Sequence, residues 1–219
     1  MYKYPKIETV FERDMDGAKQ LIYGRYRDET VEFLKDCEWV FTEKIDGTNI
    51  GIYWDGHKVN YQGRTEKAQI PKHLMARLEE LFGGEENEQI FEQLFGEKEV
   101  VLFGEGFGDK IQKRGSEYIP DGVDFILFDV YFPSSDVFLR REGMVGIAAA
   151  FGIRLVPIKM IGDIQDAIYY AMYPIKSSFG TAQAECIVGK PCIEVRDRTG
   201  KRVIVKLKYD DLKVFANED

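Results

Sequence analysis

The stretch that most constrains this chain runs from Glu38 to Tyr61, where β-prone runs alternate with turn pairs. Glu38-Trp39-Val40-Phe41-Thr42 leads into Glu43-Lys44-Ile45-Asp46-Gly47, and Asn49-Ile50-Gly51-Ile52-Tyr53-Trp54 leads out. Asp46-Gly47 favours a turn. Asp55-Gly56 separates the second run from Lys58-Val59-Asn60-Tyr61, a hairpin signal. Lys44 therefore lies between two strands. A lysine held on a rigid element with carboxylates near it can act as a covalent nucleophile. Taken alone, Lys44-Ile45-Asp46-Gly47 proves little, because so short a pattern recurs by chance on surface hairpins with a solvated lysine.

A chain of 219 residues suits one domain, or one and a half, with a good core. A hydrophobic fraction of 44% and a charged fraction of 31% read as globular rather than disordered. No apolar run approaches the length of a membrane span, and Met1-Tyr2-Lys3-Tyr4-Pro5-Lys6 lacks the apolar core of a signal peptide, so the expected setting is the cytoplasm. Cys37, Cys186 and Cys192 form neither a zinc pattern nor a Cys-x-x-Cys pair, in keeping with a reducing compartment. His57 and His73 are too few for a histidine metal site. A metal would need carboxylates, which points to magnesium or manganese. The net charge of −8 argues against holding nucleic acid by bulk charge, though a local basic patch suffices for binding.

Along the chain, residues 28–35 read as a short helix with Val31, Leu34 and Phe33 facing inward, in an entry segment concerned with packing. Arg64 stands after the Lys58–Tyr61 strand, in Gly63-Arg64-Thr65-Glu66-Lys67, as an exposed arginine or one that meets a phosphate or ribose. Pro71 to Phe82 is an amphipathic helix with Leu74, Leu78 and Leu81 on one face, ended by Gly83-Gly84. Glu88 to Phe95 is a second. Glu99 to Phe103 is a buried strand ending in Gly104-Glu105-Gly106-Phe107-Gly108, where Glu105 projects as the strand stops or is solvated in a turn. Asp109 to Gly115 is the densest basic loop, solvated or touching a phosphate backbone. Val123 to Phe132 is a core strand in which Phe128 belongs to the core or lies against a base. Arg141 to Phe151 and Asp163 to Met172 are helices, the latter capped by Asp163, with a short strand or edge at Leu155–Ile158 between them. Glu185 heads a strand, and Val203 to Lys208 is a strand whose Lys206 and Lys208 share a face, clamping an anion or protecting an edge. Arg198 to Lys201 is a hairpin turn.

These runs occur in the order Lys44-Ile45-Asp46-Gly47, Arg64-Thr65-Glu66, Phe103-Gly104-Glu105-Gly106, Phe128-Asp129, Glu185-Cys186-Ile187-Val188 and Lys206-Leu207-Lys208. In that order they resemble the covalent nucleotidyltransferase superfamily of polynucleotide ligases and capping enzymes. The likeness is greatest to ATP-dependent RNA ligases of the RNA-ligase-2 type, over about residues 38 to 212. The resemblance implies an α+β fold. That fold is an antiparallel-rich nucleotidyltransferase domain, a ligase adenylation domain of ATP-grasp-like kind, made of two packed sheets flanked by helices. Residues 1–219 would form a single such domain, with no separate C-terminal or oligonucleotide-binding domain. It implies ATP and magnesium or manganese as cofactors, and nucleic-acid ends, RNA by preference, as partners. A helper protein or domain would assist the grip, and no membrane is involved.

The same resemblance makes Lys44 the nucleophile that becomes lysyl-AMP. It puts Arg64 near the ribose or phosphate, Phe128 on the adenine, Glu43 and Asn49 beside the nucleotide and the RNA end, and Lys206 and Lys208 on the α-phosphate. Asp46, Glu105 and Glu185 would hold the metal, directly or through water. Nearby positive charge and burial would lower the pKa of Lys44 so that it attacks as the neutral amine. Cys186 departs from the Glu-Gly-x-Val pattern, where glycine is expected, and its thiol is an expected oxidation site. A DNA ligase, a capping-type enzyme or a catalytically silent nucleic-acid-binding relative are the alternatives.

Overall fold

The computed structural model describes residues 2–65 and 67–216. The elements open with β1 (Glu8–Thr9), β2 (Phe11–Arg13), β3 (Leu21–Tyr26), α1 (Glu29–Phe33) and β4 (Trp39–Lys44). Then come β5 (Thr48–Trp54), β6 (Val59–Gly63), α2 (Lys72–Phe82), α3 (Gly84–Phe95), β7 (Val100–Gly108) and α4 (Gly115–Tyr118). They continue with β8 (Val123–Phe132), β9 (Val137–Phe138), α5 (Arg141–Ala150), β10 (Arg154–Leu155), β11 (Ile158–Gly162) and α6 (Ile164–Ala171). β12 (Cys186–Pro191), β13 (Val205–Leu207) and α7 (Tyr209–Leu212) complete the set. The result is an α+β, antiparallel-rich fold, as expected. β1–β13 and β8–β10 pair in parallel, while β4, β5, β7 and β12 pair antiparallel with their neighbours. Among the described residues no helix is long and apolar enough to cross a membrane.

The chain divides into two compact units. The first holds the described residues of Asp46–Val156 and Phe179–Ala182, with residues 2–5. Its sheet runs β10-β8-β7-β5-β6, with β9 against β8. One face is covered by α2, α3 and α5, which bury Leu74, Leu78, Phe82, Phe91 and Ile147 against Ile50, Ile52, Leu102 and Phe125. Each such side chain contributes roughly 1.5–3 kcal/mol on leaving water. The inward position on α2 after Leu78 is Phe82 rather than Leu81, which is half-buried. The other face carries an aromatic cluster of Val101, Phe103 and Phe138 with Tyr2, Tyr4, Tyr53, Phe128 and Tyr131.

The second unit holds Lys6–Ile45, Pro157–Ser178 and residues 183–216. Its five-stranded sheet runs β1-β13-β12-β4-β11 beside the β2–β3 ribbon. Its core joins Trp39, Phe41, Ile187, Val205 and Leu207 to Ile164, Ala167, Ile168 and Ala171 of α6. Asp163 caps α6 by accepting from the Asp166 N–H, as expected, and Asp28 caps α1 through the Thr30 N–H.

Several expectations are corrected. β7 does not stop at Phe103 but continues to Gly108, so Glu105 lies within the sheet. The glycines that suggested a break are required for packing. A Cβ on Gly104 would fall 2.1 Å from the Phe125 ring, and one on Gly106 2.4 Å from Leu74 Cδ2. Phe33 is 84% exposed, because on so short a helix Val31 fills the inward slot. α3 begins at Gly84, where a positive φ of 80° follows the end of α2 without an intervening loop. The Leu155–Ile158 edge is two strands. Pro157 separates β10, which pairs with β8, from β11, which pairs with β4. The strand at Val203–Lys208 is confined to Val205–Leu207. Glu66 of the arginine run lies outside the described residues.

Candidate active site

β4 alternates strictly: Trp39, Phe41 and Glu43 are buried, while Val40, Thr42 and Lys44 are half-buried. The two residues at its end therefore face opposite sides of the sheet. Cys186 pairs with Lys44, and Val188 pairs with both Thr42 and Lys206. Directly paired residues share a face, so Lys44, Cys186, Val188 and Lys206 line the same one.

On that face one carboxylate bridges two ammonium groups. Glu185 Oε2 lies 2.6 Å from Lys44 Nζ, and Oε1 lies 2.9 Å from Lys208 Nζ. Burial alone would push the Glu185 carboxyl up, but Lys44 and Lys208 outweigh it and hold it below its ordinary value. Burial pulls Lys208 down, yet its bond to Glu185 leaves it raised. Lys206, two positions away, is lowered by burial and by Lys208. The lysine of the pair that bonds Glu185 thus stays firmly charged, while its neighbour gives up a proton more readily. The Cys186 thiol is fully buried and pushed up to about 12 by burial and Glu185. A shielded, protonated thiol is a poor target for oxidation, which corrects that expectation.

Glu43 points the other way. Its carboxylate is buried and accepts from the Ser177 hydroxyl, from the Ser178 N–H at 2.9 Å and from Lys159 Nζ at 3.4 Å. Lys159 also donates to the Lys176 carbonyl at 2.7 Å and to Ser178 Oγ at 3.1 Å. Neither Lys159 nor Ser177 was singled out in the sequence. Lys159 lies within β11, and its contact with Glu43 depends on the pairing of β11 with β4.

In the first unit, Asn49 pairs with Glu105, and Glu105 with Ile126, so Asn49 and Glu105 share a face. Phe103 lies two residues before Glu105 and so faces the same side, towards the aromatic cluster with Phe128. Phe103 pairs with Asp129 and Gly104 with Leu127, leaving Phe128 as the extra residue of a bulge. Bulges re-aim a side chain, and here the ring meets Tyr4 edge-on at 4.9 Å between centroids. Tyr4 also donates to Asp129 Oδ2 at 2.6 Å, a contact the sequence did not reveal. Asp46 is half-buried, and its N–H donates to the Tyr118 hydroxyl at 3.2 Å. Arg64 is exposed directly after β6.

Among the described residues no three His, Cys, Asp or Glu side chains group as a metal cage would require. Both Glu185 oxygens are already engaged by lysines. The carboxylate donors are nonetheless hard oxygens, and magnesium commonly binds through one or two carboxylates plus water and phosphate. By donor type each of Asp46, Glu105 and Glu185 suits such an ion, and among the described residues none of them belongs to a preformed cage.

The chain matches the RNA ligase family over residues 37–208. Comparison with curated proteins finds no match. Among solved structures it is similar to a mutant Naegleria gruberi RNA ligase with ATP and Mn, at TM-score 0.64 and 16% identity, covering 97% of this chain and 59% of that one. It is also similar to the same organism's RNA ligase with PPi, at TM-score 0.65 and 18% identity, covering 99% of this chain and 64% of that one. The chain thus spans about three fifths of the length of these structures, and at such identity they show the shared fold. With the matched segment reaching from before Lys44 to Lys208, this chain belongs to the RNA ligase family.

Proposed function

We propose that this chain is the adenylation part of an ATP-dependent RNA ligase, residues 1–219 acting as one domain, and that Lys44 is its nucleophile. The observation that carries the proposal is the position of Lys44 Nζ, 2.6 Å from a carboxylate that also holds Lys208, inside the segment matched to the family. The ATP and Mn named for the Naegleria structures support the choice of nucleotide and of a divalent ion.

In the proposed reaction the Lys44 ammonium first gives its proton to water. The amine then forms a bond to the α-phosphorus of ATP, and the bond to pyrophosphate breaks. An oxygen of an RNA 5′-phosphate next attacks that phosphorus and releases the lysine. A 3′-hydroxyl finally attacks the activated 5′-phosphate, and AMP departs. Lys206 and Lys208 neutralise charge on the α-phosphate oxygens. Glu185 orients Lys44 before nucleotide arrives. Asp46, Glu105 and Glu185 would hold magnesium or manganese, which would supply further positive charge to the phosphates. Phe128 offers its ring to the adenine, Arg64 its guanidinium to the ribose or a phosphate, and Asn49 borders the RNA end. Glu43 enters as a positioning residue, since its carboxylate is occupied inside the fold. The cytoplasm is the proposed setting, and a helper protein or domain shares the grip on substrate.

The test is transfer of label from α-labelled ATP or GTP to purified protein, followed by sealing of nicked duplexes with RNA or DNA at the nick. Labelling by ATP and sealing of RNA ends are expected. Labelling by GTP alone would make it a capping-type enzyme, and no labelling by either nucleotide would make it a silent relative.

A further inference from the structure

The sheet of the first unit is electrically polarised along its strands. At one end, Thr48 pairs with Gly106, Ile50 with Gly63 and Gly108 with Val123. Three segments meet there. Arg64 and Lys67 follow β6, Lys72 opens α2, and Lys110 and Lys113 lie in the loop after β7. His73 Nε2 lies 3.3 Å from the Asp109 carbonyl, which ties α2 to that loop. The Gln112 side chain donates to the Gly47 carbonyl at 2.8 Å, which ties the loop to the turn following Lys44. Residues 64–73 and 109–114 each carry three lysine or arginine residues against one acidic residue. Lys110 pairs with Asp109, and Arg114 with Glu117. Arg64, Lys67, Lys72 and Lys113 are exposed and make no ion pair with a described residue.

The opposite end is acidic. Residues 85–99 hold six glutamates against one lysine. They reach the far end of β5 and β6, where Val59 donates to Glu88 at 3.2 Å and Trp54 to the Gly96 carbonyl at 2.9 Å. β5 has 7 residues, so the two ends lie roughly 20 Å apart. That exceeds the screening length of about 8 Å at physiological salt. Those glutamates therefore do little to cancel the field at the basic end.

We infer that this basic end is the track on which the phosphate backbone of an RNA strand lies beside the Asp46-Gly47 turn. The inference rests on the ligase proposal for its choice of RNA. It locates the grip in lysines from separate segments, which touch phosphates without reading sequence.

The experiment measures fluorescence anisotropy of a 5′-phosphorylated single-stranded RNA across a salt series, for parent protein and for a variant with Lys67, Lys72, Lys110 and Lys113 all changed to Glu. A control carries Lys19, Lys98, Lys201 and Lys213 changed to Glu, and melting temperature checks folding. The variant is expected to bind at least tenfold more weakly, with the slope of log affinity against log salt reduced by roughly 3. The same four lysines changed to Ala should move both quantities in the same direction by less, and serve if the reversal variant does not fold. Affinity and slope equal to the parent's, or an equal loss in the control, overturn the inference. So does binding of phosphatidylserine vesicles that is lost in the variant while RNA affinity stays unchanged. A parent that is labelled by ATP while the variant binds RNA normally defeats only the track. A parent that is never labelled, yet loses RNA in the variant, defeats only the ligase proposal.

Discussion

Two lysine–glutamate pairs flank β4 of the second unit, built on adjacent residues. Lys44–Glu185 spans 2.6 Å, with side chains 30% and 27% exposed. Lys159–Glu43 spans 3.4 Å, with side chains 12% and 0% exposed. The residue types are the same and the surroundings differ. The open pair is partly exposed and shares its carboxylate with a second lysine, so separating it costs less than separating a sealed pair. The sealed pair has neither feature, so removing one partner strands a charge and costs roughly 3–5 kcal/mol. An ion pair that is cheap to break can yield a nucleophile, and one that is expensive to break holds the frame.

The largest expected effect tests the open pair. Lys44→Ala should reduce transfer of label from ATP to background while the melting temperature moves by no more than a few degrees. Labelling as strong as the parent's would show the nucleophile to be another residue. Next, Glu185→Gln should fold but lower labelling by roughly a hundredfold, the size of effect that misplacing a reacting group produces. Titrating magnesium and manganese against this variant and against Glu105→Ala sharpens the point, because unchanged metal dependence removes that carboxylate from the metal's surroundings.

The sealed pair should fail in the opposite way. Lys159→Met is expected to lower stability by about 3 kcal/mol, near 10 °C in melting temperature for a chain of this size. Any protein that remains folded should still label. Adding Glu43→Gln should recover much of the loss, since the stranded charge is gone. If the double variant is no better than the single one, Glu43 and Lys159 are not coupled and the contrast fails. The smallest effect concerns Cys186. Iodoacetamide should modify Cys37 and Cys192, both exposed, in the native protein and reach Cys186 only after denaturation. With its thiol pushed up to about 12, Cys186 carries almost no thiolate at neutral pH, and raising the pH from 7 to 9 should not open it. Mass spectrometry showing early modification of Cys186 would mean that the floor beneath Lys44 is open to solvent.

Much of this was legible in the residues. β4, β5 and β6 follow from β-prone runs punctuated by Asp-Gly, and the α6 cap from Asp163, because period and turn chemistry are local properties. Glu185 beside Lys44 and Lys208 came from motif order, though the two members of the Lys44 pair stand 141 residues apart. The N-terminal strands β1 to β3 were not foreseen, being short and without clear alternation. β7 was cut short because glycine reads as a break when only neighbours along the chain are considered, and the Phe125 ring that needs the space comes from β8.

By itself, the sequence determined where strands turn, which residues alternate, and that lysine and glutamate stand side by side at the end of β4. Only the tertiary structure decided that Glu43 would be sealed by Lys159, 116 residues away, while Lys44 would meet Glu185 on the open face. It likewise decided that Phe128 would be the bulged residue meeting Tyr4. The reason is that period fixes the side of a sheet on which a side chain emerges. Strand order, register and burial, which depend on distant segments, fix what it meets there and whether its charge is left in water.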